Sequence, residues 1–130
     1  MGANQGIGAA YVYVKPASGW KSTSTFTAKL SALSSSKVSG LSQSISISGK
    51  TLVMGAPGTT VGSNSGQGAL LVYHEPTTGW RTTSRFNAEL SASDGAANDN
   101  LGVSAAVNGS TIIGGATKSG PPGEAYVFAQ

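Results

Sequence analysis

The chain has 130 residues, a net charge of +3 and only 10% charged residues, and 19 of its positions are glycine. Such a length allows one ordinary domain with a sizeable core, and abundant Gly, Ser and Thr around short apolar runs is the composition of an all-β protein rich in turns. There is no cysteine, which excludes disulfide frameworks, thiolate metal sites and a cysteine nucleophile together; the scattered Lys and Arg argue against a nucleic-acid surface, and no apolar stretch reaches the ~18 residues that span a bilayer, so a soluble chain with no membrane insertion is expected.

In chain order, the start from Met1 to Gly6 has neither the basic opening nor the apolar segment of a secretory signal. Gly6-Ile7-Gly8 lacks a following helix or a P-loop lysine and reads as a loop rather than a phosphate cradle. A strand is predicted near Ala10 to Val14, and a second outer strand follows the Pro16 to Gly19 turn. Leu41 to Ser48 alternates apolar and small polar residues, and Ser48-Gly49 turns it into Thr51 to Gly55. The matching Asn108-Gly109 is the strongest short hairpin signal and predicts a type I′ turn, with positive φ at both central residues. After Ala56-Pro57-Gly58 and the Gly-rich stretch Gly62 to Gly68 comes a third strand, Ala69 to His74. Pro76 and Gly79 make a turn, and a fourth strand is expected from about Trp80 to Leu90. Val12-Tyr13-Val14 and Leu52-Val53-Met54 place apolar residues at successive positions, so both faces of those strands must be covered, as in stacked sheets.

The dominant feature is a duplication with an offset of 60. Residues 8–56 and 68–116 share 20 identities in 49 ungapped positions, including Trp20 and Trp80, Phe26 and Phe86, Leu41 and Leu101, and Gly55-Ala56 and Gly115-Ala116. A partial third copy begins at Glu124 and matches Ala10-Tyr-Val-Tyr13. The chain therefore divides into a first repeat at about 8–67, a second at about 68–123 and a repeat strand at 124–130, within a single domain of 1–130.

The stretch from Ala88 to Ala116, with Leu101-Gly102 where a Phe-Gly pair is usual, together with Gly55-Ala56-Pro57, resembles the FG-GAP repeats of integrin-like β-propellers. The first copy departs further, with Leu41-Ser42 at the Phe-Gly position and Ser34-Ser35-Ser36 where the second has Asp94-Gly95-Ala96. The resemblance implies β-propeller blades of four antiparallel strands, two per chain. Residues 41 to about 90 would form one blade. Residues 8 to about 32 would supply the outer strands, and 101–116 the inner strands, of a circularly permuted second blade. Two blades cannot close a ring, because closed propellers hold about 4 to 8. The expectation is head-to-tail homo-oligomerisation into a trimer or tetramer, or an excised or engineered piece of a longer propeller from a secreted or cell-surface parent. A nine-strand sandwich also suits the strand count but leaves the duplication unexplained.

Candidate chemistry is sparse. His74 is the only histidine and reads as a strand-end side chain, since Val14 stands there in the first copy. No paired carboxylates recur at equivalent positions, so no hydrolytic pair is offered and the chain is not expected to be an enzyme. Asp94, Asn98 and Asp99 offer oxygen ligands for calcium in a tight loop, although the alternating Asp pattern of integrin-type calcium loops is absent, and the competing reading is a structural turn. No other cofactor is indicated. Trp20 and Trp80 are either sugar-stacking platforms or residues wedged between blades, and the phenylalanine kept six residues after each favours packing. Asn108-Gly109-Ser110 fits a glycosylation sequon but lies on the hairpin. A self-assembling structural repeat module thus leads, with a carbohydrate-binding, lectin-like propeller as the alternative.

Overall fold

The computed structural model describes residues 7–33, 37–118, 120 and 122–129. The opening segment 1–6 and the serine run at 34–36 lie outside the described residues. Among the described residues, nine strands fall into three antiparallel sheets and no helix occurs. The first sheet pairs β1 (Ala10–Val12) with β2 (Ala28–Leu30). The second runs β3 (Ser44–Ser48), β4 (Thr51–Ala56), β5 (Ala69–His74), β6 (Ala88–Leu90) in that spatial order. The third runs β7 (Ser104–Asn108), β8 (Thr111–Ala116), β9 (Glu124–Ala129).

The β4–β5 pair is covered on both faces, as its continuous apolar runs require. Leu52, Met54, Leu71 and Tyr73 join the core with Val12, Ala28 and Leu30 of the first sheet. Val53, Leu70 and Val72, on the opposite face, pack with Ile112 and half-buried Phe128 of the third. A sheet stacked between sheets satisfies both faces at once, and the strict period of two in each strand decides which residues go to which neighbour.

Three expectations are corrected. The fourth strand of the middle sheet is only β6, Ala88–Leu90, because the chain before it leaves its own sheet. Thr83 N–H donates to the Lys29 carbonyl and Ser31 N–H donates to the Thr83 carbonyl, both at 3.0 Å, so this segment clasps the outer edge of β2. The hairpin turns follow the II′ pattern rather than I′. Ser48 pairs with Thr51 and Asn108 with Thr111, which leaves Gly49-Lys50 and Gly109-Ser110 as the central pairs. Only the glycines have positive φ, at 55° and 57°. Last, within the single chain the inner strands at 101–116 are not joined by the outer strands at 8 to about 32, which form a sheet of their own; Glu124 to Ala129 takes that place. It is the third strand of the last sheet, paired with β8 through Ile112↔Phe128 and Ile113↔Val127. The described residues therefore form three open sheets of two, four and three strands.

Candidate inter-repeat interface

The contact between repeats is built first from backbone close approach. Gly55 belongs to the Gly-Ala-Pro element of the first repeat and Gly102 to the Leu-Gly element of the second, and they touch: a Cβ on Gly55 would run into the Gly102 carbonyl. Gly102 has φ 104°, so two demands on glycine, space and positive φ, meet at one junction. Ser44 Oγ donates to the same Gly102 carbonyl at 2.8 Å.

That serine begins a row that sequence reasoning missed. Ser46 Oγ accepts from Val107 N–H and Ser48 Oγ accepts from Gly109 N–H, each at 3.1 Å, so the polar face of β3 is laid against β7. The apolar face of the same strand is left open, with Ile45 and Ile47 exposed. The usual orientation of an alternating strand is thus inverted. The signal available in the sequence was the small size of all three serines on the period-two row, which permits close strand approach.

Aromatic residues seal the outer part of the first interface. Trp80 and Phe86 pack, half-buried, against the cluster that holds Val12, Ala28 and Leu30. Tyr73 lies inside it, and its hydroxyl donates to the Ser31 carbonyl at 2.9 Å; burial pushes that phenol up to about 12. The repeat equivalents fare differently. Tyr13 is 45% exposed against 1% for Tyr73, and Trp20 is 65% exposed. Tyr11 and Phe26, also exposed, meet edge to face at 5.0 Å. Trp80 therefore takes the packing role and Trp20 is brought to the surface, beside Tyr13, Pro16 and Thr23 in a shallow cleft of about 200 Å³.

At the other end the same comparison holds. Val127 is 65% exposed where Val72 is 4%, and Ile113 is 43% exposed where Val53 is fully buried. Between the second and third sheets a groove of about 380 Å³ is lined by Val72, Ala88, Leu90, Ile112 and Phe128.

The loop at 92–101 is tied to the loop before β5. Gln67 is buried, donating Nε2–H to the Ala92 carbonyl at 2.9 Å and accepting from Asn64 Nδ2 at 3.0 Å. Of the three residues read as calcium ligands, Asp99 is buried, with Oδ2 accepting from Ala96 N–H at 2.8 Å and facing Lys118 Nζ at 3.8 Å. Asp94 and Asn98 are exposed. Among the described residues no group of three or more His, Cys, Asp or Glu comes together. His74 lies at the exposed end of β5 with Nδ1 3.2 Å from Thr51 Oγ1.

Lys118 also meets Glu124 Oε2 at 2.8 Å, and Tyr126 Oη donates to the same oxygen at 2.6 Å. The Lys118 ammonium, and then the Tyr126 hydroxyl, hold the Glu124 carboxyl below the usual carboxylate range. This cluster pins the start of β9 to the loop beyond β8.

A family model described as FG-GAP repeat matches residues 85–128, a span that runs from just before β6 through most of β9. No curated protein and no solved structure matches the chain.

Proposed function

Since the chain carries an FG-GAP repeat at residues 85–128, we propose that it is a structural propeller-repeat module whose activity is to associate head to tail with further copies of itself. One observation carries this reading. Equivalent residues are buried where a neighbouring sheet stands and open where none does, as Tyr73 and Val72 contrast with Tyr13 and Val127. A one-dimensional stack leaves such apolar faces at its ends, and a rotation that closes removes them. Three chains, or four, would make rings of six or eight blades, within the usual range of about 4 to 8. No catalytic role is assigned to His74, whose ring nitrogen Nδ1 meets a threonine hydroxyl at the exposed end of its strand.

Light scattering coupled to size exclusion, run at several concentrations, tests the reading. A discrete trimer or tetramer is the expected result. A single-chain mass of 12.9 kDa at every concentration would refute it.

A second reading, carbohydrate recognition, is favoured by the exposed Trp20 indole beside Tyr13 and the Thr23 hydroxyl. An indole face is a stacking platform for an apolar sugar face. Quenching or shifting of tryptophan emission by a glycan, lost in Trp20→Ala, would support it; a flat response across a glycan array would exclude it.

A further inference from the structure

β1 and β9 are two copies of one strand, and only one of them is paired as the repeat requires. In the middle sheet, β5 sits on β4 with Leu52↔Tyr73 and Val53↔Val72 in register. β9 sits on β8 in the corresponding register, with Phe128 opposite Ile112 and Val127 opposite Ile113. β1, whose Tyr13 corresponds to Phe128 and Val12 to Val127, is hydrogen-bonded only to β2 and has no inner neighbour among the described residues. β9 is an edge strand, whereas β1 brings with it an outer strand, Trp20 and Phe26.

Three pairs of open surfaces then match across the two ends. Ala88 and Leu90 are half-buried beside the 380 Å³ groove, while their equivalents Ala28 and Leu30 are buried in the cluster that Trp80 and Phe86 cover. Trp20 and Phe26, the equivalents of that covering pair, are exposed. Val53 is buried with Ala105 and Val107 packed against its cluster, while its equivalent Ile113 and their equivalents Ile45 and Ile47 are all exposed. The clasp of Thr83 on the β2 edge has its counterpart in Thr23, and β6, the equivalent of β2, is the outermost strand of its sheet.

We propose that the groove receives the β1–β2 hairpin of a second copy by strand exchange: the incoming β1 replaces β9 on β8, so that β9 is a built-in placeholder whose release controls assembly. This rests on the head-to-tail reading above. The interface formed would repeat the one already present between the first and second sheets, with the indole of Trp20 over the groove and Ile45 and Ile47 against Ile113. It would also recover two complete four-stranded sheets per chain. The backbone ladder lost with β9 is replaced in kind by β1. The exchange therefore gains the buried aromatic and isoleucine surface and loses the Lys118–Glu124–Tyr126 cluster. Because a strand must leave before another can enter, assembly is slow and is accelerated by anything that loosens β9.

The test staples β9 in place. Thr111 and Ala129 are directly opposed, and opposed antiparallel residues lie within disulfide reach. The chain has no other cysteine, so the double variant Thr111→Cys, Ala129→Cys is compared oxidised and reduced by light scattering over a concentration series. The reduced form and the parent chain are expected to assemble, and the oxidised form to stay single. Trp20→Ala, which alters only an exposed side chain, is expected to weaken association about tenfold or more, as loss of a central aromatic anchor does. If the oxidised form assembles as well as the reduced one, or if Trp20→Ala changes nothing, exchange is overturned while head-to-tail association stands. If neither the parent chain nor the reduced form assembles at any concentration, both readings fall.

Discussion

Tyr73 shows how a single buried phenol couples the fold to pH. Its hydroxyl is satisfied by the Ser31 carbonyl, but burial still raises it from 10.0 to about 12. A raised value means the native state holds a proton that the unfolded chain gives up, so stability is fully present below pH 10 and is lost as pH rises toward 12. The two-unit window corresponds to about 2 to 3 kcal/mol. Denaturant titrations at pH 9 and pH 12 should show that loss, and Tyr73→Phe should abolish the part due to this residue while costing about 1 kcal/mol at neutral pH through the missing hydrogen bond. Gly55 is the steric counterpart. Its Cα lies against the Gly102 carbonyl, leaving no room for a methyl group, so Gly55→Ala should destabilise by about 3 kcal/mol through displaced backbone. Equilibrium unfolding measures it, and a change near zero would mean that the junction yields freely.

Among the elements, β3 and β9 are the two whose roles differ most from their sequence patterns. β3 alternates as a half-buried strand should, yet its serines are turned to the neighbouring sheet and its isoleucines to the open side. Hydrophobic periodicity alone assigns the opposite orientation. Three hydroxyls reaching the second repeat, through Val107, Gly109 and Gly102, explain why the small polar row faces inward. β9 has exposed residues along most of its length and is pinned at its start by the Lys118–Glu124–Tyr126 cluster. Because the Glu124 carboxyl is held below its ordinary 4.5, its contribution is present above that value and is lost as pH falls through the lower, folded value. Amide exchange of β9 should therefore lose protection in acid, and Glu124→Gln should produce the same loss at neutral pH. Unchanged exchange in that variant would show that the ladder to β8 holds β9 by itself.

For the whole molecule, the contrast between Trp80 and Trp20 measures what a neighbouring sheet contributes. Trp80→Ala should cost about 2 kcal/mol, less than the ~3–5 kcal/mol of a fully buried Trp because the ring is only half covered. Trp20→Ala should stay within about 0.5 kcal/mol in the single chain. Two thermal or denaturant curves decide it, and equal costs would mean that Trp20 packs as its equivalent does. The sequence by itself determined the all-β class, the 60-residue repeat, the two hairpins and the both-sided burial of β4, because period, turn residues and duplication are local or self-referential properties of the chain; the same reading of Val12-Tyr13-Val14 fails, since Tyr13 and Val14 are exposed where no further sheet covers them. Even the likeness to FG-GAP repeats was carried by short motifs around Gly102 and Gly55. What only the tertiary structure decided was which copy of a repeated strand pairs with which neighbour, which face of β3 turns inward, and which tryptophan is covered. Equivalent residues carry equivalent propensities, so a repeated sequence cannot distinguish an inner copy from an end copy. Position in the stack does that, by supplying or withholding the sheet against which each apolar face is buried.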